Sequence, residues 1–149
     1  MADDPLVFRP ATLADAEALG RLNQELIRDE GPRTRMSLAE LTERMRNWLA
    51  YESYEALLGL DGDAVVAYVL WRDQPDSIYL RQIFVQRDYR RQGAARHLML
   101  TLFQRWPDKR LTVDVLAGNA RALAFWRRMG YRDYAVMLER LPQDDAPDQ

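Results

Sequence analysis

The chain of 149 residues has no cysteine, one histidine (His97) and one lysine (Lys109). Lack of cysteine removes disulfides, thiol nucleophiles and thiolate metal ligands together. With a single histidine, neither a histidine-based triad nor a zinc site has its usual parts, so no metal is expected. No apolar run approaches the roughly 20 residues that a membrane-spanning helix needs. The opening MADDPLVFRP is acidic before it is apolar, unlike a secretory leader. A cytoplasmic protein with no membrane partner is the expectation. A basic excess is missing too: the formal net charge is -2, which argues against a nucleic-acid partner.

What is present fits a globular protein. Apolar residues make up 48% of the chain and charged residues 30%, enough of each for a core and a solvated surface. The length suits one domain covering 1–149, ordered over about 6–141, with PQDDAPDQ (142–149) as a polar tail. Nearly all basic residues are arginine, whose planar fork suits phosphate or carboxylate; a compositional bias would look the same.

Apolar periodicity then divides the chain. LVFRP reads as a first strand. Thr12 and Asp15 resemble a capping pair, and Leu13, Ala16, Leu19, Leu22 and Leu26 form a stripe that predicts a helix from about Leu13 to Asp29. EGPRTRM breaks it. Ser37 then caps a second helix whose predicted buried stripe is Leu38, Leu41, Met45, Trp48 and Leu49. YEALLGL and AVVAYVLWR flank Asp61-Gly62-Asp63 and predict a hairpin; SIYLRQIFV follows as another strand. A helix stops near Trp106-Pro107, LTVDVLA reads as a strand, NARALAFWRRM as a helix closed by Gly130, and YRDYAVMLERL as a last strand. The expected fold is α/β, a mixed α+β arrangement of about six strands and about four helices.

One junction stands out. RRQGAARHLML, Arg90 to Leu100, places two arginines and a glutamine before a glycine and two alanines at a helix start. A first helical turn offers unpaired N-H groups and the positive end of the dipole, and glycine removes the side chain that would block a phosphate. Arg90, Arg91 and Arg96 add positive field. Alone, the pattern fits a solvated helix start equally well. The sequence has neither G-x-x-x-x-G-K-[ST] nor G-x-G-x-x-G, so the better-known nucleotide loops are excluded.

Taken in order, FRPATLADAEAL, YLRQIFVQRDYRRQGAARHLM and LTVDVLAGNARALAFWRRMGY resemble the GCN5-related N-acetyltransferases (GNAT) over about Leu6 to Leu141. The resemblance implies a central, mostly antiparallel mixed sheet that splays beside a bulge, and acetyl transfer from acetyl-CoA to a small-molecule or peptide amine. Arg90, Gly93 and Ala95 fill the family's [RQ]-x-x-G-x-[GA] signature. In that setting the stretch Arg90, Arg91, Gln92, Gly93, Ala94, Ala95 and Arg96 would hold the CoA pyrophosphate, mainly through amides. Ile83, Phe84 and Val85 would carry the pantetheine arm by strand-like hydrogen bonds. Asn119, in N-x-x-A-x-x-F-W, matches an asparagine that contacts the arm. A homodimer is a further expectation from the family.

Three chemical demands follow. An acceptor amine with pKa about 10.4 is neutral in about one molecule in 2,500 at pH 7, so a proton acceptor is useful. Glu25, Asp29 and Glu30, at the end of the first helix, are the candidate carboxylates; Glu25, Glu30, Tyr79 and Arg81 are the candidate acceptor-binding residues. Each also fits a plain surface or packing role. Gln82 stands where relatives often carry an acid. The Val85 N-H is the donor for the thioester carbonyl. Trp126 stands where many relatives have tyrosine and cannot supply a proton to the leaving thiol. Expelling a thiolate of pKa about 8.5 at pH 7 costs about 2 kcal/mol; Tyr131 and Tyr134 are the nearby phenols. A non-catalytic CoA-binding sensor or interaction domain is the alternative.

Overall fold

The computed structural model describes residues 6–31 and 35–143. In chain order the elements are β1 (Val7–Pro10), α1 (Ala16–Glu30), α2 (Leu38–Tyr51), β2 (Tyr54–Asp61), β3 (Ala64–Asp73), β4 (Ser77–Val85), α3 (Ala94–Arg105), β5 (Arg110–Val113) and α4 (Ala120–Arg128). Single 3-10 turns at Leu13–Asp15 and Arg87–Tyr89 precede α1 and α3.

Local chemistry sets the ends of the first two helices. Asp15 is gripped by both Arg9 Nη atoms at 2.8 and 2.9 Å and accepts from the Thr12 N-H at 2.8 Å. These contacts tighten Leu13–Asp15 into the 3-10 turn, so α1 starts three residues later than periodicity predicts and Leu13 is exposed. At α2 the expected cap is complete: the Glu40 N-H donates to Ser37 Oγ, and the Ser37 N-H to Glu40 Oε1. Leu38, placed in the buried stripe from sequence, lies at the exposed start of this helix.

The sheet order is β1-β2-β3-β4-β5. All pairs are antiparallel except β4 with β5. Strand alternation sends Leu58, Tyr68 and Leu70 to one face, under Leu19, Leu22, Met45 and Trp48 of α1 and α2. On the other face Val69, Trp71, Ile78 and Leu80 pack under Leu98, Met99 and Leu102 of α3 and Trp126 of α4.

The expected sixth strand is corrected. Residues 131–142 have no regular secondary structure, and Tyr134, Val136, Met137 and Leu138 are 82–90% exposed. A β-rich composition forms a strand only where a partner edge and a packed face are available. Here three consecutive apolar residues, Val136 to Leu138, face solvent, so neither side of that run packs on the described residues. Within the predicted polar tail, residues 144–149 lie outside the described residues, as do Pro32–Thr34 of the expected helix break.

Candidate active site

Two irregularities in β4 make the opening. Its pairing with β5 covers only Ser77–Leu80, whereas its pairing with β3 continues to Val85. The β5 side of Arg81–Val85 therefore has no strand partner among the described residues. The second irregularity is a bulge: Leu70 stands opposite Gln82 and Trp71 opposite Leu80, leaving Arg81 extra. Alternation is broken there. Arg81 and Gln82, though adjacent, both face α1 and α2, as their contacts with Trp48 and Tyr68 show.

Beyond Val85 the chain turns sharply into α3. Arg91 has φ 64° and Gly93 φ 78°, both left-handed. The first helical bond is His97 N-H to Gly93 O at 2.9 Å. The six amides of residues 91–96 have no acceptor among the described residues. A Cβ placed on Gly93 would meet nothing within 4 Å, so the space in front of the turn is open. Convergent amides at a helix start with clear approach fit a phosphate group.

Side chains brace this turn from three directions. Arg90 donates Nε-H to Val85 O at 2.8 Å and Nη2-H to Asp29 at 2.6 Å, with its guanidinium over the Phe84 ring. Gln86 donates to Glu25 at 3.1 Å, and the Tyr89 hydroxyl to Asp61 at 2.6 Å. Two candidate carboxylates, Glu25 and Asp29, are thus placed as supports of the turn. Across the opening Asn119 caps α4, its Oδ1 accepting from the Ala122 N-H at 3.1 Å. This leaves its Nδ2 group without a protein partner among the described residues.

A second cluster lies on the α1/α2 face of β4. The guanidiniums of Arg44 and Arg81 both lie over the Trp48 ring, 4.4 and 4.6 Å from its centre. Arg81 also donates to the Tyr54 hydroxyl at 3.2 Å, and Arg44 to Asn23 Oδ1 at 2.8 Å. Deeper in, the Tyr68 hydroxyl donates to Gln82 Oε1 at 2.8 Å. Burial pushes the Tyr68 hydroxyl well above its ordinary pKa. Burial first, and then the Asp29 charge, raise the Glu30 carboxyl. Tyr79 donates to Asp114 at 2.9 Å, and burial and that bond push it up to about 12.

Of the acceptor residues expected from sequence, Arg81 lies inside this cluster, Tyr79 at its edge, and Glu30 close enough to Tyr68 for its charge to be felt there. Asn23, Arg44, Trp48, Tyr54 and Tyr68 were not anticipated. Arg44 and Trp48 stand four apart on α2, a spacing that puts them on one helix face; the bulge that brings Arg81 to the same ring has no comparable sequence mark.

The profile of the Acetyltransferase (GNAT) family matches residues 21–131. The chain belongs to that family. Solved GNAT-fold structures superpose over nearly the whole chain: a ribosomal-protein-alanine N-acetyltransferase from Brucella melitensis biovar Abortus 2308 (17% identity, 93% of this chain and 100% of that one, TM-score 0.73); a predicted acetyltransferase with acetyl-CoA from Clostridium acetobutylicum (18%, 91% and 96%, 0.71); and an aminoglycoside N-acetyltransferase in complex with CoA (13%, 93% and 95%, 0.74). These similarities show the fold. No curated protein sequence matches the chain.

Within this GNAT chain, Trp126 is a core residue, 6% exposed, with ring centres 4.9 Å from Phe125 and 5.0 Å from Tyr131. The Tyr131 hydroxyl is buried without a partner, and burial pushes its pKa up. Tyr134 is exposed and lies against Arg110.

Proposed function

We propose that this GNAT protein is an acetyl-CoA-dependent N-acetyltransferase that works by direct transfer to a primary amine. The observation that carries the reading is the row of six unpaired amides at 91–96 beside the unpartnered stretch of β4. The amides of Gln92 to Arg96 hold the pyrophosphate, with Arg91 and Arg96 supplying field while Arg90 is engaged as a brace. Ile83–Val85 offer strand-like bonds to the pantetheine arm, and Asn119 Nδ2 a further donor. The Gln86 N-H bonds back to Val66 O; along an extended chain the Val85 N-H points the opposite way, toward the opening, where it can polarise a carbonyl.

Bound acetyl-CoA supplies the thioester. The amine nitrogen bonds to the acetyl carbon, the C-S bond breaks, CoA departs with the electron pair, and the amine proton leaves by solvent or a carboxylate. Glu30, whose raised pKa makes it a better proton acceptor, is the proposed carboxylate. The acceptor is a small molecule or a peptide, and the setting is cytoplasmic.

Calorimetry with CoA and thiol release from acetyl-CoA over an amine panel test the reading. Binding with acceptor-dependent release is expected. Tight CoA binding without release from any amine would favour a CoA sensor, a reading to which the buried Trp126 and the amide at Gln82 lend support.

A homodimer belongs to the same proposal. The exposed run Val136-Met137-Leu138 and the outer edge of β5, which has no strand partner among the described residues, are complementary parts. A second copy can supply each to the other in a two-fold exchange. A monomer by light scattering at micromolar concentration would refute it.

A further inference from the structure

We infer that the acceptor amine carries an oxyanion of its own, a carboxylate or a phosphate, held by Arg44 and Arg81 beside Trp48. This rests on the N-acetyltransferase reading and deepens it. Several arginines elsewhere are paired with acids: Arg9 with Asp15, Arg46 with Glu43, Arg90 with Asp29, Arg127 with Asp133. Arg44 and Arg81 have no carboxylate within ion-pair distance among the described residues, although they are close enough for the Arg81 charge to be felt at Arg44. Two like charges gathered on one ring, without a counter-ion, call for one from outside.

Unused donors point the same way. Arg44 Nε is buried with no partner among the described residues, and so is Nδ2 of Asn23, a residue that is 0% exposed. That Nδ2 lies beside the Tyr68 oxygen but outside hydrogen-bond geometry. A buried donor left unpaired is costly, and an oxyanion could satisfy several at once. The aromatic walls, Trp48 and Tyr54, lie against the guanidiniums and hold them in place.

Glu30, whose charge is felt at Tyr68, forms no ion pair with either arginine among the described residues. Its position suits the other end of a zwitterion: the oxyanion toward Arg44 and Arg81, the amine toward Glu30 and the opening in β4. Polyamines and aminoglycosides, cationic throughout, would meet the arginines with like charge.

The test is calorimetry on the CoA-loaded protein with matched pairs: L-amino acids against their amides, and O-phosphoethanolamine against ethanolamine. The charged member of at least one pair is expected to bind about 30-fold tighter, as hydrogen bonds to charged groups imply. Which pair responds separates carboxylate from phosphate. Arg81→Gln, at an exposed position, should remove about tenfold of that preference while leaving CoA affinity unchanged; Arg44→Gln should do the same if it folds. Equal binding within every pair, no binding by any, or a preference for spermidine or kanamycin would overturn the inference. Thiol release separates the two readings: none from any amine sinks N-acetyl transfer, whereas the affinity contrast decides the anion site in either case.

Discussion

The proposed donor turn and the proposed acceptor cluster share strand β4 but are built from different material. At residues 91–96 the binding groups are main-chain amides, fixed by the left-handed Arg91 and Gly93 and by the start of α3. On the other side they are side chains drawn from α1, α2, β2, β3 and β4, and their relative position depends on how five elements pack. A main-chain site tolerates change of most side chains in it and fails when the backbone path is altered. A side-chain site behaves the opposite way, so the fold can keep its donor while its acceptor changes.

The sharpest way to break this contrast is Gly93→Val. A branched residue at a left-handed φ should destabilise the chain by about 1–2 kcal/mol, and moving the amides should weaken CoA binding about 100-fold, the equivalent of two or three lost contacts. Undiminished CoA affinity by calorimetry would remove the donor site from this turn. Next, Arg90→Ala frees the turn from Val85 O and Asp29 without touching the amides. The KM for acetyl-CoA should rise about tenfold, with kcat changing less; an unchanged KM would mean the brace is dispensable.

A smaller effect concerns the frame of α1. Arg9 first, and the Thr12 N-H after it, hold the Asp15 carboxyl below its ordinary range, against the opposing effect of burial. Its folded pKa lies below the unfolded value of about 3.9. The stability it contributes is therefore complete above that value and is lost as pH falls through the folded pKa. Asp15→Asn should cost about 1 kcal/mol at pH 7, and the gap to the parent should close on acidification in urea titrations. A gap independent of pH would assign the loss to packing. Last, Trp126→Tyr should change kcat by less than about threefold, under about 0.7 kcal/mol, because the side chain at 126 is buried in the core against Phe125 and Tyr131. A large gain would show that the missing phenol limits the enzyme.

The turn at residues 91–96 was legible in the sequence. A glycine between arginines and a helical stripe specifies both backbone direction and charge, and Ser37 with Glu40 marks a helix start for the same local reason. Local chemistry was read less well where a side chain reached back along the chain, as when Arg9 gripped Asp15 and delayed α1. The acceptor half was mostly illegible. Trp48 was expected only as a core residue because its stripe said so, and nothing near Arg44 hints at Arg81, which reaches the same ring only through β4. The last strand failed for a different reason: YRDYAVMLERL has strand composition, but pairing is a property of the neighbour, and the described residues supply none.

The extra residue at Arg81 acts on β4 as a frameshift acts on a message. Up to Leu80, even-numbered side chains point to the α3 face; from Gln82 onward, even-numbered side chains point to the α1/α2 face. Deleting Arg81 would restore strict alternation and leave every other β4 side chain on the face it now occupies, because Leu80 and Gln82 already point to opposite sides of the sheet. Arg81 is therefore the residue of β4 that neither face of the sheet needs for its phase. Removing it would cost the bulge and the contact with Trp48, not the packing of either face.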